Sequence, residues 1–572
     1  MLDDLTRFGA EAHFTADLAV VGAGPAGIVV ALEAAQRGLD VLLVESGCEG
    51  YDESIQALSE AASWDTSRHA PMSIATRRQV GGTSVTWGGR CVPFDPVDFT
   101  TRPVAGAARW PVGYDEIREY FGRACEWMQC GRPVFSATEI PSLGGDLVPG
   151  LNDRDGVKST DLERWSLPTN FGHVYRKQLH RLPNLRLLTG VTATELVCPP
   201  TNQQVEALDC RTTGGGRVRV EAAGFVIAAG GLESTRLLMS SRGPAGGELG
   251  NQSGHLGRWY MAHVEGVAAR VQFSTPPRAT RYDYQRDVDG SYVRRRFTLT
   301  EELQLRAGVP NFAAWLTNPD LPDASHDRGD LSFAYLALRS PLGRRFAPDA
   351  QRLSLTGVVV PGAPYGHSDI SPVGDHLRNL ARHPLTTGKF VFDFGARRFL
   401  NRGRRAPGFF SYSPRNSYPL QYHCEHLPQA ESRVSLTRER DALGRPKLAI
   451  DLRFSEADVD GVARAHDLLD SALRGAGVGR LDYVSDDPAA VIAERLGGGF
   501  HQSGTTRMAA TANDGVVDRD LRVYGAANVY VASSSTFVTS GQANSTFMIV
   551  AFAVRLADHL CALLATNRRI SR

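Results

Sequence analysis

The stretch Asp17–Glu45, DLAVVGAGPAGIVVALEAAQRGLDVLLVE, leaves few folds open to the chain that contains it. Its apolar run Leu18–Val21 reads as a buried strand. That strand enters the cluster Gly22-Ala23-Gly24-Pro25-Ala26-Gly27, which opens a helical pattern rich in alanine and leucine. Gly38 closes the helix and Val41–Val44 supplies a second buried strand; Glu45, at its end, stands 18 residues after Gly27. Around a dinucleotide each part has a task. Gly22 allows the sharp turn, Gly24 lets the backbone approach a pyrophosphate, and Gly27 lets helix and strand pack closely, while the helix N-terminus offers N–H groups to the anion. Glu45 would accept hydrogen bonds from a ribose. An acid there disfavours a 2′-phosphate but does not separate NAD from FAD.

The 572 residues suffice for more than one core, with 42% hydrophobic, 22% charged and a net charge of +1. Near-neutrality gives no reason to expect a nucleic-acid partner. The first 17 residues lack a basic region followed by an apolar one, and no later apolar run is expected to reach the length of a bilayer span. A cytoplasmic location is the expectation. The eight cysteines show neither a CxxC pair nor metal-ligand spacing, so free thiols and no metal are expected.

Further along, Gly81-Gly82-Thr83-Ser84-Val85-Thr86-Trp87-Gly88-Gly89 brackets a tryptophan with two glycine pairs, a composition suited to a loop passing close to a flat ligand. A helical pattern begins near Asp115. Between Asn184 and Gly231 the period changes to that of strands, with a hairpin around Gly214-Gly215-Gly216; the run Phe225–Leu238 repeats the order strand, glycine pair, helix. Residues 246–490 suggest a mainly antiparallel region with strands at Gly266–Phe273, Leu331–Leu338 and Leu353–Val360 and a hairpin over 433–452. Residues 378–405 hold eight Lys and Arg against one acid, Asp393, and read as a solvated cationic face. Near the C-terminus, His501-Gln502-Ser503-Gly504 precedes a strand, a serine run at Ser533–Ser535, and Gly541-Gln542-Ala543-Asn544-Ser545-Thr546 at the mouth of a long helix. Alone, His501 would be structural and Asn544 an ordinary N-cap.

Together these segments resemble the glucose-methanol-choline (GMC) family of FAD-dependent alcohol oxidoreductases, over roughly residues 17–130, 220–260 and 425–560. The glycine loop is most similar to the branch with pyranose oxidases and bacterial choline-dehydrogenase-like flavoproteins. The resemblance implies an α/β (mixed α+β) chain. Its Rossmann-like FAD-binding domain is assembled from 14–100, 162–260 and 493–572, and its substrate-binding domain, with a mainly antiparallel sheet, from 101–161 and 261–492. It implies that Gly22, Gly24, Pro25, Ala26, Gly27, Glu45 and Ser46 hold the ADP half of FAD, with Val191, Ala229 and Gly230 at the same end. Gly81, Gly82, Thr83, Thr86, Trp87, Gly88 and Gly89 would run beside the isoalloxazine, joined by Ser533, Asn544, Ser545 and Thr546. His501 and Asn544, 43 residues apart, match the family's catalytic pair.

Alcohol oxidation removes a hydroxyl proton and a carbon-bound hydride, so His501 is the expected base and flavin N5 the hydride acceptor. Some relatives attach FAD covalently through a histidine just before the tryptophan. Thr86 stands there, so non-covalent FAD is expected. Where the family commonly has proline after its catalytic asparagine, this chain has Ser545. The substrate expected is a sugar, glycoside, polyol or natural-product alcohol, with electrons passing to oxygen, a quinone or a redox protein. Membrane contact is not expected. Two alternatives stay open: a non-redox flavoprotein lyase, and the catalytic subunit of a membrane-attached dehydrogenase that docks through 378–405.

Overall fold

The computed structural model describes all residues except 1, 7–8, 107–108, 168, 201, 245, 348, 362–368, 402 and 571–572. The continuous apolar runs at 18–21, 41–44 and 225–227 become the centre of an eight-stranded sheet, in which Leu2–Asp4, Leu185–Thr189, Val41–Glu45, Glu11–Val21, Arg217–Ile227 and Val529–Val531 lie parallel in that order. Ala207–Arg211 and Thr192–Val197 extend it antiparallel. Strands without polar alternation need cover on both faces. On one face the helix Pro25–Gln36 provides it, with eleven of its twelve residues buried, packed in turn by the C-terminal helix Thr546–Ile570. The stretch Thr546–Ala565 is long and apolar enough to cross a membrane, contrary to expectation, but 72% of it is buried inside the protein. It is a core helix.

A second, six-stranded antiparallel sheet has the order 479–483, 263–273, 417–425, 312–316, 297–299, 157–158. Tyr418, Leu420, Tyr422 and Cys424 pack its back face against the helix Glu456–Gly475, whose Ser455–Asp458 capping box fixes where it begins. The intervening positions of the same strand, Gln421 and His423, therefore face the other way, toward the first domain.

Three sequence-based assignments are corrected here. Leu331–Leu338 lies in a helix, Gly329–Arg339, and the helix Asp349–Leu355 takes up residues 353–355 of the expected strand at 353–360. Residues 162–165 and 90–91, grouped by sequence with the cofactor-binding segments, instead pair with each other and with 292–295 in a four-stranded sheet.

Arg102 and Glu425 tie the two regions together through two parallel hydrogen bonds of 2.6 and 2.7 Å, with both side chains shut off from solvent. Breaking such a pair strands a buried charge. Arg102→Ala is expected to cost about 3–5 kcal/mol in urea denaturation, and Arg102→Met with Glu425→Met to cost less than the single change. A double variant weaker than the single one would refute this account.

Candidate active site

Three helices begin on one cavity. Pro25–Gln36 starts after Gly24, Gly231–Ser240 after Gly230, and the C-terminal helix at Thr546; all three starts line the same space. Each helix start offers unpaired N–H groups and the positive end of its dipole, so an anion is favoured between them. Gly22 sits at φ +100°, where a Cβ would come 2.6 Å from the Ala228 carbonyl oxygen. Gly24 meets nothing but the Gly82 Cα, at 3.9 Å, so two bare backbones border the cavity.

The cavity is also lined by Pro25, Ala26, Glu45, Ser46, Gly82, Thr83, Val191, Ala229, Ser533, Ser545 and His501. Glu45 is almost fully buried and accepts the Ala23 and Gly47 N–H groups at 2.7 Å, one on each oxygen, which keeps lone pairs for a ribose. Burial pushes its carboxyl up, and those two bonds and the Arg78 charge oppose the shift. The Val191 N–H is spent on the Glu45 carbonyl at 3.0 Å, leaving only its carbonyl for an adenine. Arg78, which the sequence did not single out, reaches Ser46 at 2.9 Å and Glu233 at 2.5 Å on this wall.

Other expected residues lie behind or beside the cavity. Gly27 packs under Gly22, and Gly81 packs against Asn170 and Gly172. The second glycine pair is not in the lining: Trp87 is turned away, its indole N–H donating to the Thr169 carbonyl at 3.0 Å, and Thr86 bonds back to Thr83. The loop instead delivers its next residue, Arg90, to the chemical end of the site.

There His501 and Asn544 meet as expected, Asn544 Nδ2 lying 2.9 Å from His501 Nε2. Behind them His263 Nδ1 is 3.0 Å from His501 Nδ1, and His263 Nε2 is 3.3 Å from the Ser540 carbonyl. A carbonyl only accepts, so His263 carries its proton on Nε2 and leaves Nδ1 as acceptor. His501 must then be protonated on Nδ1, and its Nε2 lone pair faces Asn544. Enclosure away from water, then the nearby Arg90 charge, push the His501 imidazole down to about 4. His423 stacks on His263 with ring centroids 4.2 Å apart, and its Nδ1 donates to the Gln542 carbonyl. The three imidazoles offer nitrogens within 4.8 Å of one another, a spacing a divalent cation would accept, but all their nitrogens except His423 Nε2 are engaged in these hydrogen bonds.

The front face of the antiparallel sheet adds residues that the sequence did not reveal. Glu265 lies directly opposite His423, its carboxylate 3.7 Å from Nε2, and burial pushes its acid up to about 8 despite Arg90. Gln421 pairs with Trp315 and is fully buried, with neither amide atom hydrogen-bonded among the described residues. Arg90 stacks on Trp315 at 4.1 Å and pairs with Glu163.

Asn544 Oδ1 and Ser545 Oγ are likewise buried without a partner beside the third helix start. Buried polar atoms left open, two bare glycine backbones and three converging helix starts fit a large anionic dinucleotide with a polar ring system.

Comparison with known proteins agrees with this geometry. Residues 428–553 match the GMC oxidoreductase C-terminal model and residues 17–64 an FAD binding domain. The chain is 22% identical to 2-methyl-1,2-propanediol dehydrogenase of Mycolicibacterium austroafricanum, over 95% of each protein. To paromamine 6′-oxidase of Streptomyces fradiae it is 24% identical, over 96% of this chain and 92% of the other. Among solved structures, pyridoxine 4-oxidase from Mesorbium loti superposes with a TM-score of 0.53 at 18% identity, over 95% of this chain and 98% of that one. The chain thus carries a GMC oxidoreductase C-terminal domain and an FAD binding domain, and it is an FAD-dependent oxidoreductase acting on CH–OH donors.

Proposed function

We propose that the enzyme oxidises a hydroxyl of a polyhydroxylated, sugar-like molecule, with His501 as base. The observation that carries the substrate class is Gln421. Its wholly unpartnered amide shares a sheet face with His423, Glu265 and Trp315. An unmade buried hydrogen bond costs about 1–3 kcal/mol, so this face is organised for a ligand rich in donors and acceptors. The relatives named for a diol and for paromamine are in keeping with that.

The substrate hydroxyl enters between Asn544 Nδ2 and His501 Nε2, donating to the imidazole and accepting from the amide. His501 Nε2 takes the proton. His263 holds the other nitrogen, so the ring neither turns nor changes tautomer. Bound FAD supplies the hydride acceptor, and the enclosed histidines keep water from the reacting carbon.

The test is anaerobic bleaching of the flavin by polyols and by simple alcohols. Gln421→Leu is expected to raise KM for a polyol about tenfold, as for one lost buried hydrogen bond, with little change for a monohydric alcohol. An equal loss on both would sink the polyol reading. FAD is held without a covalent bond in this proposal, because Thr86 offers no nucleophilic ring nitrogen; acid precipitation should leave the yellow colour in the supernatant, and a yellow pellet would refute it.

A further inference from the structure

The helix Pro384–Gly395 has an apolar sequence, PLTTGKFVFDFG, and no buried residue. Its inner side, Phe390 and Phe394, packs on Phe409 with ring centroids 4.7 and 5.2 Å apart. Its outer side carries Leu385 and Phe392, seven residues apart and hence on one stripe, continued by Phe399 and Leu400 in the turn that follows. Leu385 is 87% exposed, Phe392 75% and Leu400 76%. The preceding helix, Val373–Arg382, buries His376 and Asn379 on one side and exposes Val373 and Leu377 on the other. Apolar side chains standing singly in water are ordinary; a contiguous set on two successive helices marks an interaction surface.

The charge around this surface selects its partner. The whole chain is nearly neutral, yet residues 378–405 hold eight cations against one acid. Arg378 and Arg382, with side chains 59% exposed, pair with Asp375 and Asp327, whereas Lys389 and Arg405 lie open to solvent; Arg402 is outside the described residues. A second copy of the chain docking here about a two-fold axis would set this cationic rim against itself. An anionic lipid surface accepts both parts at once, the apolar stripe in the acyl boundary and the cations among the headgroups.

Behind the stripe lies a cavity of about 440 Å³, lined by seven phenylalanines and walled by this same helix. Its lining includes Arg294, which pairs with Glu163, the carboxylate that also holds Arg90 beside His501. The series Arg294, Glu163, Arg90 thus runs from the apolar chamber under the exposed helix to the catalytic histidines.

We propose that the face formed by Val373–Arg382 and Pro384–Leu400 docks on an anionic lipid surface, which gives a lipophilic molecule dissolved there access to the phenylalanine-lined chamber. The full chain with FAD bound should float with vesicles of phosphatidylcholine and phosphatidylglycerol, remain behind with phosphatidylcholine alone, and detach as salt is raised. Combining Leu385→Ser, Phe392→Ser and Leu400→Ser should lower the bound fraction more than about tenfold, since three large apolar side chains leave the interface. The variant should keep its flavin spectrum and its rate of bleaching by a soluble polyol. Failure to float with anionic vesicles would overturn the proposal. So would a wild-type dimer that this variant converts to monomer, because the face would then belong to a second copy.

Discussion

His501→Ala slows flavin reduction about 10²- to 10⁴-fold at saturating substrate while leaving FAD bound, the usual contribution of a general base. Rapid mixing under anaerobic conditions reads this directly, and an unchanged rate would remove His501 from the chemistry. The pH profile is a second, independent readout. The imidazole is pushed down to about 4, so it is neutral and able to accept a proton at every pH well above that value. The wild-type reduction rate should therefore rise through about pH 4 and be level by pH 6, where an ordinary histidine would still be titrating. Glu265, pushed up to about 8, adds a change on the alkaline side, where its ionisation places a negative charge opposite His423. Glu265→Gln should abolish that alkaline change and leave the acid limb in place. An acid limb near 6.5 would mean that Arg90 and the enclosure do not act on His501 as described.

His501 and Asn544 could be singled out only through the family resemblance, because a histidine before a glycine turn and an amide at a helix mouth each read locally as structural. The groups around them could not. His263, Glu265, Gln421 and His423 come from two strands, of which 417–425 is buried on both faces and shows no alternation; register decides which residues share a face, and the antiparallel pairing of 263–273 with 417–425 is not encoded locally. The Arg102–Glu425 tie spans 323 residues and leaves no trace in spacing. The run Leu331–Leu338 was ambiguous for a different reason. A short apolar segment fits a strand or a buried helix equally, and here Leu331, Tyr335 and Leu338 are buried at the spacing of a helix face. The exposed stripe at Leu385 and Phe392 is hidden in the sequence because apolar residues there are taken to be core; only the fold shows them exposed. By contrast, the unit from Asp17 to Glu45 is legible in full, since strand, turn, helix and acid interact within 29 residues.

That local unit also supports the second large effect, through two glycines that differ in what a methyl group would strike. A Cβ on Gly27 would lie 1.8 Å from the Gly22 carbonyl oxygen and 3.3 Å from the Ala228 Cβ, so the contact is with backbone that has no other rotamer to adopt. Relief requires the helix Pro25–Gln36 to move off the strand by more than an ångström, taking its N-terminal N–H groups out of the cavity. Ala is favoured over Gly in a helix by about 1 kcal/mol, and overpacking a rigid core costs about 1–3 kcal/mol or more, so the clash wins. Gly27→Ala should therefore yield colourless protein with a lowered melting temperature even before FAD is considered. Gly24→Ala meets only the Gly82 Cα at 3.9 Å, an ordinary contact, and its backbone is extended at φ −79°. It should melt as the wild-type apoprotein does and still lose FAD affinity, because the methyl group occupies the path of the pyrophosphate. The comparison separates a glycine needed for packing from one needed for the ligand. If Gly27→Ala bound FAD and melted normally, the close helix–strand contact would not be what positions the nucleotide; if Gly24→Ala bound FAD normally, the anion would not pass where the three helix starts converge.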